Sequence, residues 1–453
     1  MPPKQPNIIW ILSDQHRAQA LRGAGDPNLE TPTLDRMRGA SHSGIGGSPV
    51  CSPFRGSLLT SIYPHQCIPS HDDPLPQNVP TIAHAFKEAG YRTAYFGKWH
   101  VDGAVHRTPE TRPAHQFVAP ERRGGFDCWV GYENNNAQYD CWVHGHDASG
   151  DPVDLYKLPS YETDDLTDLL INHLKSQTPG QPFFAVLAVQ PPHSPYVAPE
   201  TFTERHDPND IQLRPNVSLV DRIQDRSKKD LAGYYAMIEN LDHNTQRVFD
   251  TLKTTDLADN TQVIYFSDHG DMHGSQGRIL KCAPWEESIR IPFLVSDGHG
   301  NALPQTQATT PDLINHVDIG PTSLGLCGIE APDTFQGADY SGYFGTNRPI
   351  PQVASAYLQI VDPGYRCGFA SDRERPWRGV VTNDGWKYAI LEGQPWIMYN
   401  LNEDPYETAN LALDGQFRNE RQRLQDLLAD WITRTEDTFQ LPDISWVSRQ
   451  NLM

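Results

Sequence analysis

The chain of 453 residues lacks long apolar runs, paired-cysteine motifs and an excess of positive charge. No apolar stretch approaches the roughly 20 residues that cross a bilayer as a helix, so we predict no membrane segment. Lys and Arg number 37 against 57 Asp and Glu, which gives a net charge of −20. Because affinity for a nucleic-acid backbone comes from Lys and Arg, we predict no nucleic-acid partner. An anionic substrate would need cations concentrated locally in its site.

The seven cysteines form neither a CxxC pair nor a zinc-type cluster, and we expect no disulfide framework in a chain of this length. Because their number is odd, at least one cysteine is left without a pair and needs another explanation. Cys51 is the candidate for this unpaired cysteine. The first residues also show no charged leader with an apolar segment and a cleavage site. We therefore expect a cytoplasmic protein, or a periplasmic or secreted one if a leader has been removed.

Short apolar segments alternate with helix-like segments up to about Phe344. This alternation predicts an α/β fold with a large, mostly parallel sheet sandwiched by helices. Beyond it, short strand-like segments, an Asn383-Asp384-Gly385 turn and a polar helix over Phe417–Thr433 predict a small antiparallel sheet with one helix. We therefore expect a catalytic domain over 1–344 and a smaller α+β subdomain over 345–453. The predicted strands of the large sheet are Asn7–Leu12, Thr93–Phe96, Phe183–Val189, Val263–Phe266 and Ile291–Val295.

Four of these strands are followed at once by polar residues of catalytic type. In open α/β sheets, ligands bind at the carboxyl ends of the strands. The sequence therefore delivers acids, histidines and a lysine to one sheet edge. The four segments are Ser13-Asp14-Gln15, Gly97-Lys98-Trp99-His100, Pro191-Pro192-His193 and Ser267-Asp268-His269-Gly270.

The sharpest local pattern is Cys51-Ser52-Pro53-Phe54-Arg55-Gly56. It resembles the C-x-P-x-R motif of type I sulfatases, in the alkaline-phosphatase-like superfamily, whose cysteine is oxidised to formylglycine. The resemblance implies a hydrated aldehyde with two hydroxyls, one that attacks sulfur and one that later expels sulfate. Arg55 lies one helical turn beyond Cys51 and can reach back to it. A helix that starts here would also place backbone N–H groups near an anion.

Further segments resemble the same family in the same order, from residue 7 to about 411. The C-terminal one, Asp404–Leu411, is typical of the bacterial branch. The chain is thus identified as a sulfatase similar to bacterial polysaccharide sulfatases. The other matching segments are Asn7–Gln15, Ser267–Met272, and Lys281 with Pro284–Pro292.

The resemblance implies a divalent metal held by Asp14, Gln15, the modified Cys51, Asp268 and His269. Hard oxygen ligands suit calcium best, with manganese or magnesium as alternatives. Many sulfatases have Asp in place of Gln15 and Asn in place of His269. His269 could also serve only to orient Asp268.

The resemblance also implies the catalytic set, which is Cys51, Arg55, Lys98, His100, His193, Asp268 and Lys281. In this set Lys98 binds the sulfate oxygens, and His100 takes up the proton when the aldehyde re-forms. His193 and Lys281 stabilise the leaving oxygen, and Asp268 accepts the proton of the attacking hydroxyl. Asp271, Glu286 and Glu287 are interpreted as structural.

We therefore predict a sulfuric ester hydrolase that acts on a sulfated carbohydrate and is matured by a formylglycine-generating enzyme. The alternatives are a phosphonate monoester or phosphodiester hydrolase of the same superfamily, and an inactive glycan-binding protein of this fold. Arg17, His106 and Arg278 lie near the catalytic segments and could contact substrate, or they could be solvated loop residues. The sequence carries no signal for an oligomeric state.

Overall fold

The computed structural model describes residues 5–39, 43–71, 73–103, 112–178, 180–305, 313–363 and 375–444. In these ranges, none of the helices combines the length and the apolar character that a membrane span requires. The strands are β1 Asn7–Ser13, β2 Ser43–Ile45, β3 Arg92–Lys98, β4 Cys128–Tyr132, β5 Trp142–His146, β6 Pro152–Lys157, β7 Phe183–Ala188, β8 Thr261–Ser267, β9 Arg290–Asp297, β10 Ser355–Ile360, β11 Trp377–Thr382, β12 Trp386–Leu391 and β13 Gln394–Asn400. The helices are α1 Pro32–Met37, α2 Cys51–Thr60, α3 Ile82–Glu88, α4 Glu162–Lys175, α5 Glu200–Thr203, α6 Asp221–Thr254, α7 Glu286–Ile289, α8 Ile319–Leu326 and α9 Arg418–Arg434.

The large sheet has the strand order β2-β9-β8-β1-β7-β3-β4-β5-β6. Its five central strands, β8 to β4, run parallel, while the pairs at both edges are antiparallel. The sheet is therefore mixed, parallel only at its centre. The antiparallel edge of β5 and β6 follows from the short turn between them, since parallel neighbours need a long crossover.

The central strands are buried on both faces, as strands of a covered parallel sheet should be. All seven residues of β1 are buried. Its alternate residues Ile8, Trp10 and Leu12 pack with residues of α2, α3 and α8, and Ile9 and Ile11 pack with α1, α4 and α6. Two helical layers therefore hold the sheet rigid and fix where its carboxyl edge lies.

The predicted small sheet is confirmed as four antiparallel strands, β10 to β13. Asn383–Gly385 joins β11 to β12, and Gly385 takes the positive φ of 88° that such turns favour. One face of this sheet shares a hydrophobic core with Val50, Met272 and Trp285 of the large domain. The small sheet thus packs beside the start of α2 and the segment after β8. The boundary between residues 344 and 345 stays a prediction.

Cysteines are mostly unpaired within the described ranges. Cys51, Cys67, Cys128, Cys141 and Cys327 are free thiols, and all are buried. Cys282 is disulfide-bonded, so the chain has a disulfide although no disulfide framework was expected.

Candidate active site

The predicted convergence at one sheet edge is confirmed. Strands β8, β1, β7 and β3 are neighbours in this order, so their carboxyl ends lie side by side. Asp14 follows β1, Lys98 ends β3, and Asp268 follows β8. Lys98 lies close to the neighbouring strand because Gly97 has no side chain. With its φ of 109°, a Cβ on Gly97 would collide with the Ala188 carbonyl oxygen.

Cys51 is the first residue of α2, a helix that is buried throughout. Pro53 lies in the first turn of this helix, where proline is tolerated. Arg55 therefore follows Cys51 by one turn within the same helix. Both side chains are buried, with 1% of Cys51 and 2% of Arg55 exposed.

Two carboxylates and one imidazole surround the Cys51 sulfur. The Sγ atom lies 3.2 Å from His269 Nε2 and 3.7 Å from Asp14 Oδ1. His269 Nε2 is 3.5 Å from Asp14 Oδ1 and 3.5 Å from Asp268 Oδ1. The ligand atoms of these four residues all lie within 4.8 Å of one another. In the mature enzyme that the family motif implies, an oxygen of the modified side chain stands where Sγ is.

The other oxygen of each carboxylate is held by a cation. Arg55 Nη2 donates to Asp268 Oδ2 at 3.2 Å and to Asp14 Oδ2 at 3.4 Å. Lys98 Nζ also donates to Asp14 Oδ2. Arg55 Nη1 donates to the Lys98 carbonyl oxygen at 3.1 Å. These bonds leave both Oδ1 atoms turned toward Cys51 and His269.

The residues present fit a divalent cation. His269 Nδ1 bonds to the Gly270 carbonyl oxygen at 3.0 Å, so the lone pair of Nε2 faces the carboxylates. Burial, and then repulsion from Asp14, raises the pKa of Asp268. A cation between the two carboxylates relieves that repulsion. Two carboxylates, an imidazole and an oxygen of modified Cys51 would hold a hard or borderline divalent metal.

Gln15 lies beside this cluster with its amide fixed in one orientation. Its Nε2 donates to Asp271 Oδ2 at 2.6 Å, which Tyr196 Oη also contacts at 2.6 Å. The Gln15 Oε1 atom therefore faces the site, where it accepts from Lys281 Nζ at 3.2 Å. Asp271, which was interpreted from the sequence as structural, thus orients the Gln15 amide so that its oxygen points into the site. Metal binding by Gln15 stays a prediction.

Lys281 reaches Cys51 from a long loop between β8 and α7. Its Nζ lies 2.9 Å from Cys51 Sγ. Burial alone would raise the pKa of the Cys51 thiol, but Lys281 and Lys98 outweigh it and hold that pKa well below the usual value. The position of Cys51 therefore stabilises negative charge, which an attacking oxygen and a sulfate both carry.

Three histidines stand around the cluster. His100 is buried, and burial together with Lys98 holds its pKa well below the usual value. Burial and Lys281 lower the pKa of His193 to about 3, and its Nδ1 bonds to the Ser194 carbonyl oxygen. His71 was not predicted, yet its ring lies 4.6 Å from that of His100, and its ligand atom is within 4.8 Å of those of Cys51 and His100. No motif or strand end marks His71 in the sequence.

The three predicted substrate contacts fare differently. Arg17 is 1% exposed and its Nη2 donates to Tyr235 Oη at 3.1 Å, and its contact with substrate stays a prediction. Arg278 lies over Trp285, with its guanidinium carbon 4.6 Å from the ring centroid, and stays a prediction. His106 lies outside the described residues.

Comparison with known proteins assigns the family. The Sulfatase family model matches residues 6–329, and the model for the C-terminal part of N-sulphoglucosamine sulphohydrolase matches residues 274–434. An ulvan-active sulfatase from Formosa agariphila is 32% identical over 97% of this chain and 84% of its own length. An endo-4-O-sulfatase from Bacteroides thetaiotaomicron is 30% identical over 91% of this chain and 89% of its own. The chain belongs to the sulfatase family and is a sulfuric ester hydrolase.

Solved structures agree with the alkaline-phosphatase-like fold. A sulfatase-family protein from Bacteroides fragilis superimposes with a TM-score of 0.82 at 25% identity, covering 97% of this chain and 99% of the other. A phosphonate monoester hydrolase from Agrobacterium radiobacter shares the fold at 19% identity, with a TM-score of 0.72 over 95% and 96% of the two chains.

Proposed function

We propose that the protein hydrolyses a sulfate ester on a carbohydrate, with formylglycine from Cys51 and a divalent metal at Asp14, Asp268 and His269. The observation that carries the proposal is the convergence on Cys51 of two carboxylates, an imidazole and Lys281. Lys281, Arg55 and Lys98 together place three positive charges in this small volume. These charges can hold a sulfate although the protein as a whole has a net charge of −20.

The hydrated formylglycine supplies a hydroxyl that attacks sulfur and a second one whose loss of a proton releases sulfate. A divalent metal, for which calcium is our first choice, supplies charge stabilisation to the sulfate oxygens. Arg55 orients both carboxylates, and Lys98 binds a sulfate oxygen. A carboxylate oxygen of Asp268 lies within 4.8 Å of Cys51 Sγ, from where Asp268 can accept the proton of the attacking hydroxyl.

The other side of the site serves the leaving group. Lys281 lies against Cys51 and carries the charge that a leaving oxygen needs. His193 Nδ1 is bonded to the Ser194 carbonyl oxygen, so its Nε2 would donate to the same leaving oxygen only when the imidazole is protonated. His100 is buried near Cys51, and its lowered pKa favours the neutral imidazole that a base needs to take up the proton released when the aldehyde re-forms.

The carbohydrate part of the proposal is supported by the relatives, whose names specify ulvan and a 4-O-sulfate. The test is release of inorganic sulfate from a panel of defined sulfated mono- and oligosaccharides. We expect one sugar and one sulfate position to be strongly preferred. Turnover of simple aryl sulfates with no sulfated sugar accepted would overturn the carbohydrate assignment.

The fold is shared with a phosphonate monoester hydrolase, so this activity is the second candidate. Rates on an aryl sulfate and the matching aryl phosphonate separate the two activities. We expect the sulfate to be preferred, and a clear preference for the phosphonate would replace the proposal. The intact catalytic set argues against an inactive glycan-binding protein.

Maturation and compartment are linked in this proposal. A formylglycine-generating enzyme would convert Cys51, which lowers the mass of its peptide by about 18 Da. The disulfide at Cys282 supports a periplasmic or secreted protein over a cytoplasmic one, because disulfides persist in oxidising compartments. Fractionation of the native host tests this, and recovery with the cytoplasmic fraction would contradict it.

A further inference from the structure

The segment Asp404–Leu411 matches the family but received no role from its sequence. In the structure it is a turn that its own side chains hold together. The Asp404 carboxylate accepts from the backbone N–H groups of Thr408 at 2.7 Å and Ala409 at 2.8 Å. Asn410 Oδ1 accepts from the Met398 N–H on β13 at 3.0 Å. This rigid turn presents Glu407 with a φ of 55°.

Glu407 joins the small sheet to the segment after the catalytic lysine. Its side chain is buried, as is that of Lys387 on β12. Lys387 Nζ lies 2.7 Å from Glu407 Oε1 and 2.7 Å from Glu286 Oε1. Glu407 Oε2 accepts from the backbone N–H of Glu286, the first residue of α7, at 2.8 Å. One carboxylate therefore binds both a strand of the small domain and the end of the Lys281 loop.

The same turn also holds the loop before Lys281. Gln276 Nε2 donates to the carbonyl oxygens of Tyr406 at 3.0 Å and Glu407 at 2.9 Å. Gln276 lies five residues before Lys281, and Glu286 lies five residues after it. The Asp404–Leu411 turn thus binds the segment that carries Lys281 both before and after this lysine.

A third contact reaches the residue next to Lys281. The Cys282 carbonyl oxygen accepts from the Trp377 indole N–H at 3.0 Å. The Cys282 N–H donates to the Pro49 carbonyl oxygen at 3.0 Å, two residues before Cys51. The small sheet therefore fixes the backbone beside Lys281 relative to the start of α2.

These contacts matter because the loop has no regular structure of its own. Residues 268–285 lie between β8 and α7, outside any strand or helix. Long loops of this kind are usually mobile, and a lysine side chain has large rotamer freedom. We propose that Glu407, anchored by Lys387, is a positioning residue that holds the Lys281 segment so that Nζ meets the leaving oxygen at position 51. The inference rests on the proposed role of Lys281.

The test uses formylglycine-converted protein and a series of aryl sulfates whose phenols become steadily poorer leaving groups. Lys281→Met is the reference, because loss of the ammonium should slow the poorest leaving groups most. Glu407→Gln should do the same to a smaller extent, with kcat reduced by about 10²-fold for the poorest leaving group and much less for the best. Gln276→Ala is the milder variant, and it should steepen the dependence in the same direction.

The matched control is Asp437→Asn, which breaks a buried ion pair with Arg378 in the small domain. Within the described ranges, the hydrogen bonds and ion pairs of Arg378 and Asp437 do not reach residues 268–285, so the rates per folded molecule should keep the wild-type leaving-group dependence. In the Lys281→Met background, Glu407→Gln should add no further steepening, since it acts through the lysine.

Two results separate the possible failures. If Lys281→Met steepens the dependence but Glu407→Gln and Gln276→Ala lower all rates by one common factor, Glu407 is a purely structural residue and the inference is overturned. If Lys281→Met itself leaves the dependence unchanged, the role proposed for Lys281 is wrong, and the inference falls with it.

Discussion

Two buried clusters of charge in this molecule are built on opposite plans. In the small domain, Arg378 donates to both oxygens of Asp437 at 2.6 and 3.1 Å, and Tyr357 donates to the same carboxylate. Around Cys51, by contrast, each carboxylate bonds to a cation through one oxygen and places the other 3.5 Å from His269 Nε2. In the first cluster, the charges and hydrogen-bonding groups are paired with one another. The second has capacity left for a metal and an anion, which distinguishes a site from a structural ion pair.

The largest expected effect is at Cys51 itself. Cys51→Ala removes the precursor of the nucleophile and should lower kcat by on the order of 10⁴-fold or more, while the small side chain is tolerated by the buried start of α2. Sulfate release and thermal unfolding, measured on the same preparation, check both statements. Full turnover by this variant would refute the catalytic assignment.

Metal removal should act on the Cys51 cluster alone. A chelator should abolish activity and lower the melting temperature, because a ligand held at 100 times its Kd stabilises the folded state by about 2.7 kcal/mol. Asp14→Asn should lose most of this chelator-dependent shift, whereas Asp437→Asn should keep it. Melting curves with and without chelator measure the difference, and equal shifts in all three proteins would contradict the metal site.

Removal of one partner from the Arg378–Asp437 ion pair should lower the stability of the protein and leave its catalytic rate unchanged. Asp437→Asn leaves Arg378 buried without its charge partner and should lower the free energy of unfolding by about 3–5 kcal/mol. Turnover per folded molecule should stay near wild type. A denaturant titration and an active-site-normalised assay test the two parts separately, and a specific loss of kcat would show that the two clusters are coupled.

A smaller effect is expected at Asp271, which orients Gln15. Asp271→Asn allows the Gln15 amide to turn its nitrogen toward the site, so metal affinity should fall by about 10- to 100-fold, with full activity regained at high metal. Activity measured against metal concentration tests this. An unchanged metal dependence would leave Gln15 outside the metal site.

Sequence alone went far at the Cys51 cluster because its members lie in short motifs after buried strands. Asp14, Lys98 and Asp268 were located because strand ends of a parallel sheet share an edge, whereas Cys51 was located by its resemblance to the family motif. The sequence predicted neither the short strands at the edges of the large sheet nor the antiparallel direction of these edges. The hydrophobic patterns of the short strands are weak, and their pairing depends on the lengths of the turns between them. The hydrogen bond from Arg17 to Tyr235 was not predicted, because sequence proximity to Asp14 carries no information about a partner 218 residues away.

The residues that support the site were harder to predict. His71 stands beside His100 through the path of a loop, and Asp271 is tied to Gln15 over 256 residues of chain. Glu407 stood in a segment that matched the family, but its contacts with Lys387 and Glu286 exist only once the small sheet has packed on the loop after β8. Contacts of this kind depend on tertiary packing and leave no local pattern.

The central claim is that activity resides in modified Cys51. The most direct measurement is the rate of sulfate release from preparations that differ in the fraction of Cys51 converted to formylglycine, with that fraction read from the peptide mass. We expect a rate that is proportional to conversion and extrapolates to zero for unconverted protein. A rate independent of conversion, or substantial turnover by fully unconverted protein, would contradict it.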